Sequence, residues 1–213
     1  MSASATVDQA ELRLDAVEDA VRAFARGRIV VVVDDADREN EGDLICAAST
    51  VTPADIAFIV RYTTGIVCAP MAGDLLDRLE IPLMTSRNRD RMSTAFTISV
   101  DARDGISTGV SAADRAKTLR TLVDPGSRPD DLVQPGHIFP LRAAGNGVLD
   151  RPGHTEAAVD LARLADLPPA GVLAELVNDD GTMMRGQQLR DFADAHGLVL
   201  ISIEDLIATR NRG

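Results

Sequence analysis

Residues 28–33 end in four consecutive valines, Val30, Val31, Val32 and Val33. Branching at Cβ favours extended backbone, and an unbroken apolar run, unlike one that alternates with polar residues, suits a strand covered on both faces. A chain built around such a strand must place helices above and below its sheet. The flanking sequence supplies them. Upstream, Leu14, Val17, Val21 and Phe24 fall on one stripe of residues 9–26, which stop at Gly27, so the spacing predicts an amphipathic helix with a glycine cap. Downstream, residues 44–48 form a second apolar run, and Thr52-Pro53 provides an N-cap and first helical residue for a helix to about Tyr62.

The alternation continues to the C-terminus. Strands are expected at 66–69, 95–100, 137–142, 147–149, 172–177 and 198–203, and helices at 72–79, 112–122, 155–165 and 186–196. Ser111-x-x-Asp114 resembles a capping box with Asp in place of Glu or Gln. Asn146-Gly147 favours a tight turn, so 137–142 and 147–149 read as a hairpin, and a hairpin among crossovers makes the sheet mixed. The fold class expected is α/β (α+β), a mixed sheet sandwiched between helices, in one domain over residues 1–213.

A net charge of −11 opposes binding of long nucleic acid unless a basic patch intervenes. The nearest candidate, Arg87, Arg89 and Arg91, reads either as a solvated loop or as a lid that draws in a small anion. Lys117 is the sole lysine, in a helical segment, which leaves Schiff-base chemistry little to rest on. No stretch reaches the roughly 18 apolar residues of a membrane span, and no basic leader precedes an apolar run, so a membrane partner is not expected. Cys46 and Cys68 sit in apolar runs without the spacing of a disulfide framework or zinc knuckle. A reducing, cytoplasmic location is expected.

The densest chemistry lies in residues 34–43, where Asp34, Asp35, Asp37, Glu39, Glu41 and Asp43 crowd six carboxylates around Arg38. Like charges this close must separate into solvent, share protons or gather around a cation, and hard oxygen donors suit magnesium or manganese. An EF-hand is excluded, because the sixth position holds Asn40 counted from Asp35 and Glu39 counted from Asp34, never glycine. Two similar turns, Pro135-Gly136-His137 and Pro152-Gly153-His154, carry two of the three histidines. The second runs into a helix as Thr155-Glu156, so Arg151, the Gly153 and Thr155 amides and the Thr155 hydroxyl can meet an anion at the helix start. His196 precedes Gly197 at a helix end and reads as structural. Glu175 falls within an apolar strand, and either meets a partner in a functional site or faces outward.

Three separated stretches, Asp37-Arg38-Glu39-Asn40-Glu41-Gly42-Asp43, Thr108-Gly109-Val110-Ser111-Ala112-Ala113-Asp114-Arg115 and Arg151-Pro152-Gly153-His154-Thr155-Glu156-Ala157-Ala158, resemble in order the 3,4-dihydroxy-2-butanone 4-phosphate synthase family. The resemblance implies a three-layer α/β/α fold and a homodimer with sites near its interface. It implies conversion of D-ribulose 5-phosphate to formate and 3,4-dihydroxy-2-butanone 4-phosphate, a riboflavin precursor, with Mg²⁺ or Mn²⁺, two ions per site. By motif position, Glu39 and His154 are implied as metal ligands, and His137 and Glu175 as catalytic residues. Substrate contacts are implied for Arg38, Glu39, Asp43, Thr108, Arg151, Pro152, Gly153, His154, Thr155 and Glu175. Pro152 departs from the basic residue commoner at its position. The nearest rival is the threonylcarbamoyl-adenylate synthase family, an ATP-binding enzyme on a related fold, against which the acidic balance and scarce lysine argue. A non-catalytic metabolite- or metal-binding domain would not need Glu39, His137, His154 and Glu175 together.

Overall fold

In the computed structural model, which describes residues 12–212, the four valines form β1 (Val30–Val33). Val31 and Val33 enter one core and Val30 and Val32 the other, which is why no position in the run tolerates a polar residue. β1 pairs antiparallel with β2 (Gly42–Ala47) and parallel with β7 (Leu200–Ser202). β3 (Cys68–Met71), β4 (Val100–Ala102), β5 (Leu132–Arg142) and β6 (Gly171–Glu175) complete a seven-stranded sheet in the order β4-β5-β3-β6-β2-β1-β7. β3–β5 is parallel, while β4–β5, β3–β6 and β2–β6 are antiparallel, so the sheet is mixed as expected.

Helices cover both faces. On one side α2 (Pro53–Tyr62), α3 (Gly73–Arg78), α4 (Ala112–Val123) and α6 (Gln187–His196) bury Ile56, Ile59, Leu76, Leu119, Leu122 and Leu189. On the other, α1 (Val17–Ala25), α5 (His154–Leu164) and α7 (Ile203–Arg210) bury Phe24, Ala157, Ala158, Leu161 and Leu206. The three layers follow from the two-sided apolar strands. Thr52 is the N-cap expected of it, and with Asp55 it closes a capping box not expected there. Ser111 accepts from the Asp114 amide, but the Asp114 carboxylate turns away to Ser107 and Gly109, leaving half a box.

Several expected elements are moved. Residues 9–11 of the first helix lie outside the described residues, and the helix begins only at Val17. Upstream of it the Asp15 amide donates to the Leu200 carbonyl (2.8 Å), and its carboxylate accepts from the Leu200 amide (2.8 Å) and Arg190 (2.9 Å). That tertiary tie holds the chain in place beside β7 and overrides the helical stripe. The hairpin is absent: 147–149 is one 3₁₀ turn, Gly147–Leu149. The buried Asp160 carboxylate on α5 takes the Val148 amide at 3.0 Å, so this backbone bonds to a side chain and not to β5. Residues 95–99 make only isolated bridges, Leu83 with Thr97 and Phe96 with Leu141. β5 starts five residues earlier than expected, at Leu132, because its first half is an exposed edge pairing with no apolar run to announce it.

Candidate active site

The crowded carboxylates separate in three ways. Asp35 and Asp37 point into solvent. Asp34, buried at the end of β1, becomes the organiser of the loop: its carboxylate accepts from the Glu39 amide (3.0 Å), the Glu41 amide (2.9 Å) and Arg38 Nη1 (2.9 Å). The curled loop then delivers Glu39, Glu41 and Asp43 to one cavity of about 210 Å³, where Arg38, Arg151, His154, Thr155 and Glu175 also converge. β2 and β6 supply the floor, since Asp43 is the direct cross-strand partner of Glu175.

His154, the first residue of α5, is buried against this cluster. Its Nε2 lies 3.2 Å from the Val32 carbonyl, an acceptor only, so Nε2 carries a hydrogen and Nδ1 is turned toward Glu39 (3.7 Å) and Asp43 (4.0 Å). Those separations are too long for direct hydrogen bonds, and a backbone partner on the far nitrogen is how ligating histidines are held. Asp34, Glu39 and His154 offer ligand atoms all within 4.8 Å of one another. Both Asp34 oxygens are engaged by the loop and Glu39 Oε2 accepts from Arg38 Nη1 (2.7 Å), so Glu39 Oε1 and His154 Nδ1 are the candidate donors without a hydrogen bond among the described residues. Asp43 Oδ1 is buried with no hydrogen-bond partner among the described residues, the mark of a group meant to meet something not in the chain. Hard carboxylate oxygens beside an imidazole fit a divalent cation.

The electrostatics show the same strain. Desolvation raises Asp43 to about 7, reinforced by Glu175 and Glu39 and opposed by His154. Burial works against a charged His154, but Asp43, Glu39 and Asp34 overcome it and hold the ring at about 9. His154 in turn, with help from Arg38, holds Glu39 at about 2 against its own desolvation. The same acids that favour a proton on the imidazole would favour a metal cation taking that proton's place on Nδ1.

The start of α5 forms the second half of the cavity. A side chain at Gly153, the N-cap, would come within 2.3 Å of Arg151 Nη1 and 3.0 Å of Arg38 Nη2, so a larger residue there would shift both guanidinium groups from where they converge on the helix start. The Gly153 amide is spent on the Arg151 carbonyl (2.8 Å), which removes it from the expected anion contacts, whereas the first-turn amides beyond it have no acceptor within the helix. Arg151 is itself anchored by buried Glu156 (2.6 Å) and reaches the Met92 carbonyl (3.1 Å) and Thr94 hydroxyl (3.1 Å). It therefore fastens the arginine-rich segment over the site. Asp90, Met92 and Thr94 of that segment line the cavity, while Arg87, Arg89 and Arg91 are exposed.

Residues 18–209 match the family model of 3,4-dihydroxy-2-butanone 4-phosphate synthase. The chain belongs to that family. It is 58% identical over 192 residues to a 3,4-dihydroxy-2-butanone 4-phosphate synthase of Agrobacterium fabrum, covering 90% of each. It is 61% identical over 196 residues to the riboflavin biosynthesis protein RibBA of Salinispora arenicola, covering 92% of this chain and 47% of that one. The chain thus spans about half the length of the RibBA relatives it matches. Among solved structures, a 3,4-dihydroxy-2-butanone 4-phosphate synthase in complex with two magnesium ions superposes with a TM-score of 0.91 at 43% identity, covering 93% of this chain and 98% of that one.

Against the family motifs, the structure gathers Arg38, Glu39, Asp43, Arg151, His154, Thr155 and Glu175 in one cavity. Glu175 is not mid-strand: β6 ends there, its side chain is partly exposed, and it accepts from the Thr64 hydroxyl at 2.6 Å. Pro152 is exposed and lines a neighbouring groove with Asp35, Asp37 and Arg91. Thr108 and His137 do not line the cavity. The register puts His137 at the same end of the sheet as Glu175, with β3 between, but its ring is tied to Asp101 on β4. Sequence reasoning missed Asp101, because an isolated Asp carries no spacing signal, and missed the roles of Asp34 and Glu156, because which carboxylate of a motif anchors the others depends on contacts that no local pattern records. His196, read as structural, packs on Phe58, Tyr62 and Phe192 with ring centroids 4.4–5.1 Å away. No helix among the described residues is long and apolar enough to cross a membrane.

Proposed function

We propose that this chain converts D-ribulose 5-phosphate to 3,4-dihydroxy-2-butanone 4-phosphate and formate for riboflavin biosynthesis, using Mg²⁺ or Mn²⁺, two ions per site. The observation that carries the reading is the cavity itself, which sets Glu39, a His154 Nδ1 without a direct hydrogen bond and an unpartnered Asp43 oxygen beside two guanidinium groups at a helix start. When bound at Glu39 and His154, the divalent ions would supply Lewis-acid polarisation of the substrate's oxygens. Arg38, Arg151, Thr155 and the first-turn amides of α5 hold the phosphate, fixing which end of the sugar reaches the acids. Glu175 and His137 then move protons, one on each side of the carbon chain, through enolisation, dehydration, rearrangement and loss of C4. Asp43 orients the hydroxyls near them, and the segment ending at Thr94 keeps bulk water out.

Because His137 lies outside the cavity, the same reading makes the protein a homodimer in which a second copy presents its His137. Exposed Ile66, Val110 and Val133 support it, since they adjoin His137 through the β3 register, Gly109 and the β4 pairing respectively. A cytoplasmic setting suits the two free, buried cysteines, whose thiols burial pushes up. The test is incubation with ribulose 5-phosphate and Mg²⁺ followed by a formate assay. Equimolar formate and four-carbon phosphate are expected, and consumption of the sugar without formate would discard the assignment.

A further inference from the structure

We infer that Asp101 is the positioning residue for His137, fixing its ring with the proton on Nδ1 and a bare Nε2 toward solvent; the inference rests on the reading above that His137 moves a proton. Asp101 is 4% exposed on β4, and both of its oxygens are committed to one residue. Oδ1 accepts the His137 amide at 3.0 Å, and Oδ2 lies 2.6 Å from the ring Nδ1. An ionised carboxylate only accepts, so the neutral imidazole must carry its hydrogen on Nδ1, which leaves the lone pair on Nε2. The His137 side chain is 44% exposed, so that lone pair is within reach of a bound molecule.

Two stretches far apart in sequence build this pair. Gly136 brings β5 so close to β4 that a Cβ there would fall 2.0 Å from the Val100 carbonyl carbon, and its amide donates to Ser99 Oγ (3.2 Å). Gly109, at φ +86°, packs so that a Cβ would lie 2.1 Å from Asp101 Oδ2 and 2.8 Å from His137 Nδ1. The turn carrying Gly109 is held by Asp114, which accepts from Ser107 Oγ (2.7 Å) and the Gly109 amide (3.1 Å). The Thr108-Gly109 motif therefore acts as a wall that confines ring and carboxylate to one geometry. In the proton transfer, Nε2 takes a proton from the substrate, the resulting imidazolium keeps its Nδ1 hydrogen on Asp101, and Nε2 later returns the proton.

Asp101→Asn tests this while keeping the shape. The His137 amide would retain the Asn oxygen, so the NH₂ group faces Nδ1 and drives the ring hydrogen to Nε2, abolishing the base. The expected result is a kcat about 10²- to 10⁴-fold lower with KM within about threefold. Asp101→Glu should recover part of the kcat. Ring ¹⁵N shifts, readable because the chain has three histidines, should show His137 as the Nδ1–H tautomer in the unaltered protein and Nε2–H in Asp101→Asn. An Nε2–H ring in the unaltered protein overturns the inference, and so does an Asp101→Asn kcat within threefold of normal. If Asp101→Asn fails to fold, the unaltered protein's tautomer still decides whether Asp101 sets the ring. Failure of the underlying reading looks different: His137→Gln would then keep full turnover whatever the tautomer.

Discussion

Asp43 shows how a single residue can store cost for later use. Its carboxyl stands at about 7 in the folded chain, against about 3.9 when unfolded. Between these values the folded state holds a proton the unfolded state has released, so stability falls as pH rises from about 4 to about 7 and stays low above that. In metal-free protein, Asp43→Asn should therefore raise the melting temperature at pH 8 and lose the advantage near pH 4. His154 loses its main anionic neighbour in the exchange, which offsets part of the gain, so a rise of about a few degrees in melting temperature is expected at pH 8. Melts across that range on EDTA-treated samples check the point; a pH-independent gain would mean Asp43 is not the titrating group. Glu175 differs in place: it is partly exposed and accepts from the Thr64 hydroxyl. Glu175→Gln should lower kcat by about 10² or more while unfolding free energy moves by less than about 1 kcal/mol. Near-normal turnover with a sharply lower melting point would make it a structural residue.

At the scale of elements, the start of α5 carries two tasks on residues three positions apart. His154 turns inward to the acids, whereas Arg151, before the helix, joins Glu156 to the segment that ends at Thr94. Removing one should leave the other standing. Glu39→Gln should weaken Mg²⁺ binding in calorimetry by at least tenfold, since it takes away a charged donor. Arg151→Ala should leave Mg²⁺ affinity within about threefold and raise KM, as expected for loss of a ground-state substrate contact. If Arg151→Ala lost metal and kept its KM, the division of labour would be wrong. The loop of residues 34–41 shows why such roles are only half visible in sequence. Six carboxylates announced a site, but which were organiser, ligand or solvated depended on the two amides that Asp34 captures.

For the whole molecule, the placement of His137 outside the cavity leads to a test by mixing. His137→Gln and Glu175→Gln should each be inactive, and co-refolded mixtures should recover activity toward a quarter of normal, because mixed dimers hold one intact site. Mixtures no more active than the separate variants would rule out the shared site. The sequence by itself determined the layered architecture, since apolar runs at strand length and stripes at helical spacing admit few packings. It also determined the residue types at the site, because paired Pro-Gly-His turns and a dense acidic loop are local patterns. Tertiary structure alone decided the rest. The helical stripe before Val17 yielded to the bond between Asp15 and Leu200, and the Asn146-Gly147 turn yielded to Asp160. Asp101 found His137 across 36 residues of chain. In each case a buried carboxylate or a sheet edge, placed by distant packing, offered the backbone or ring a better partner than its own neighbours, and nothing in the local sequence records that offer.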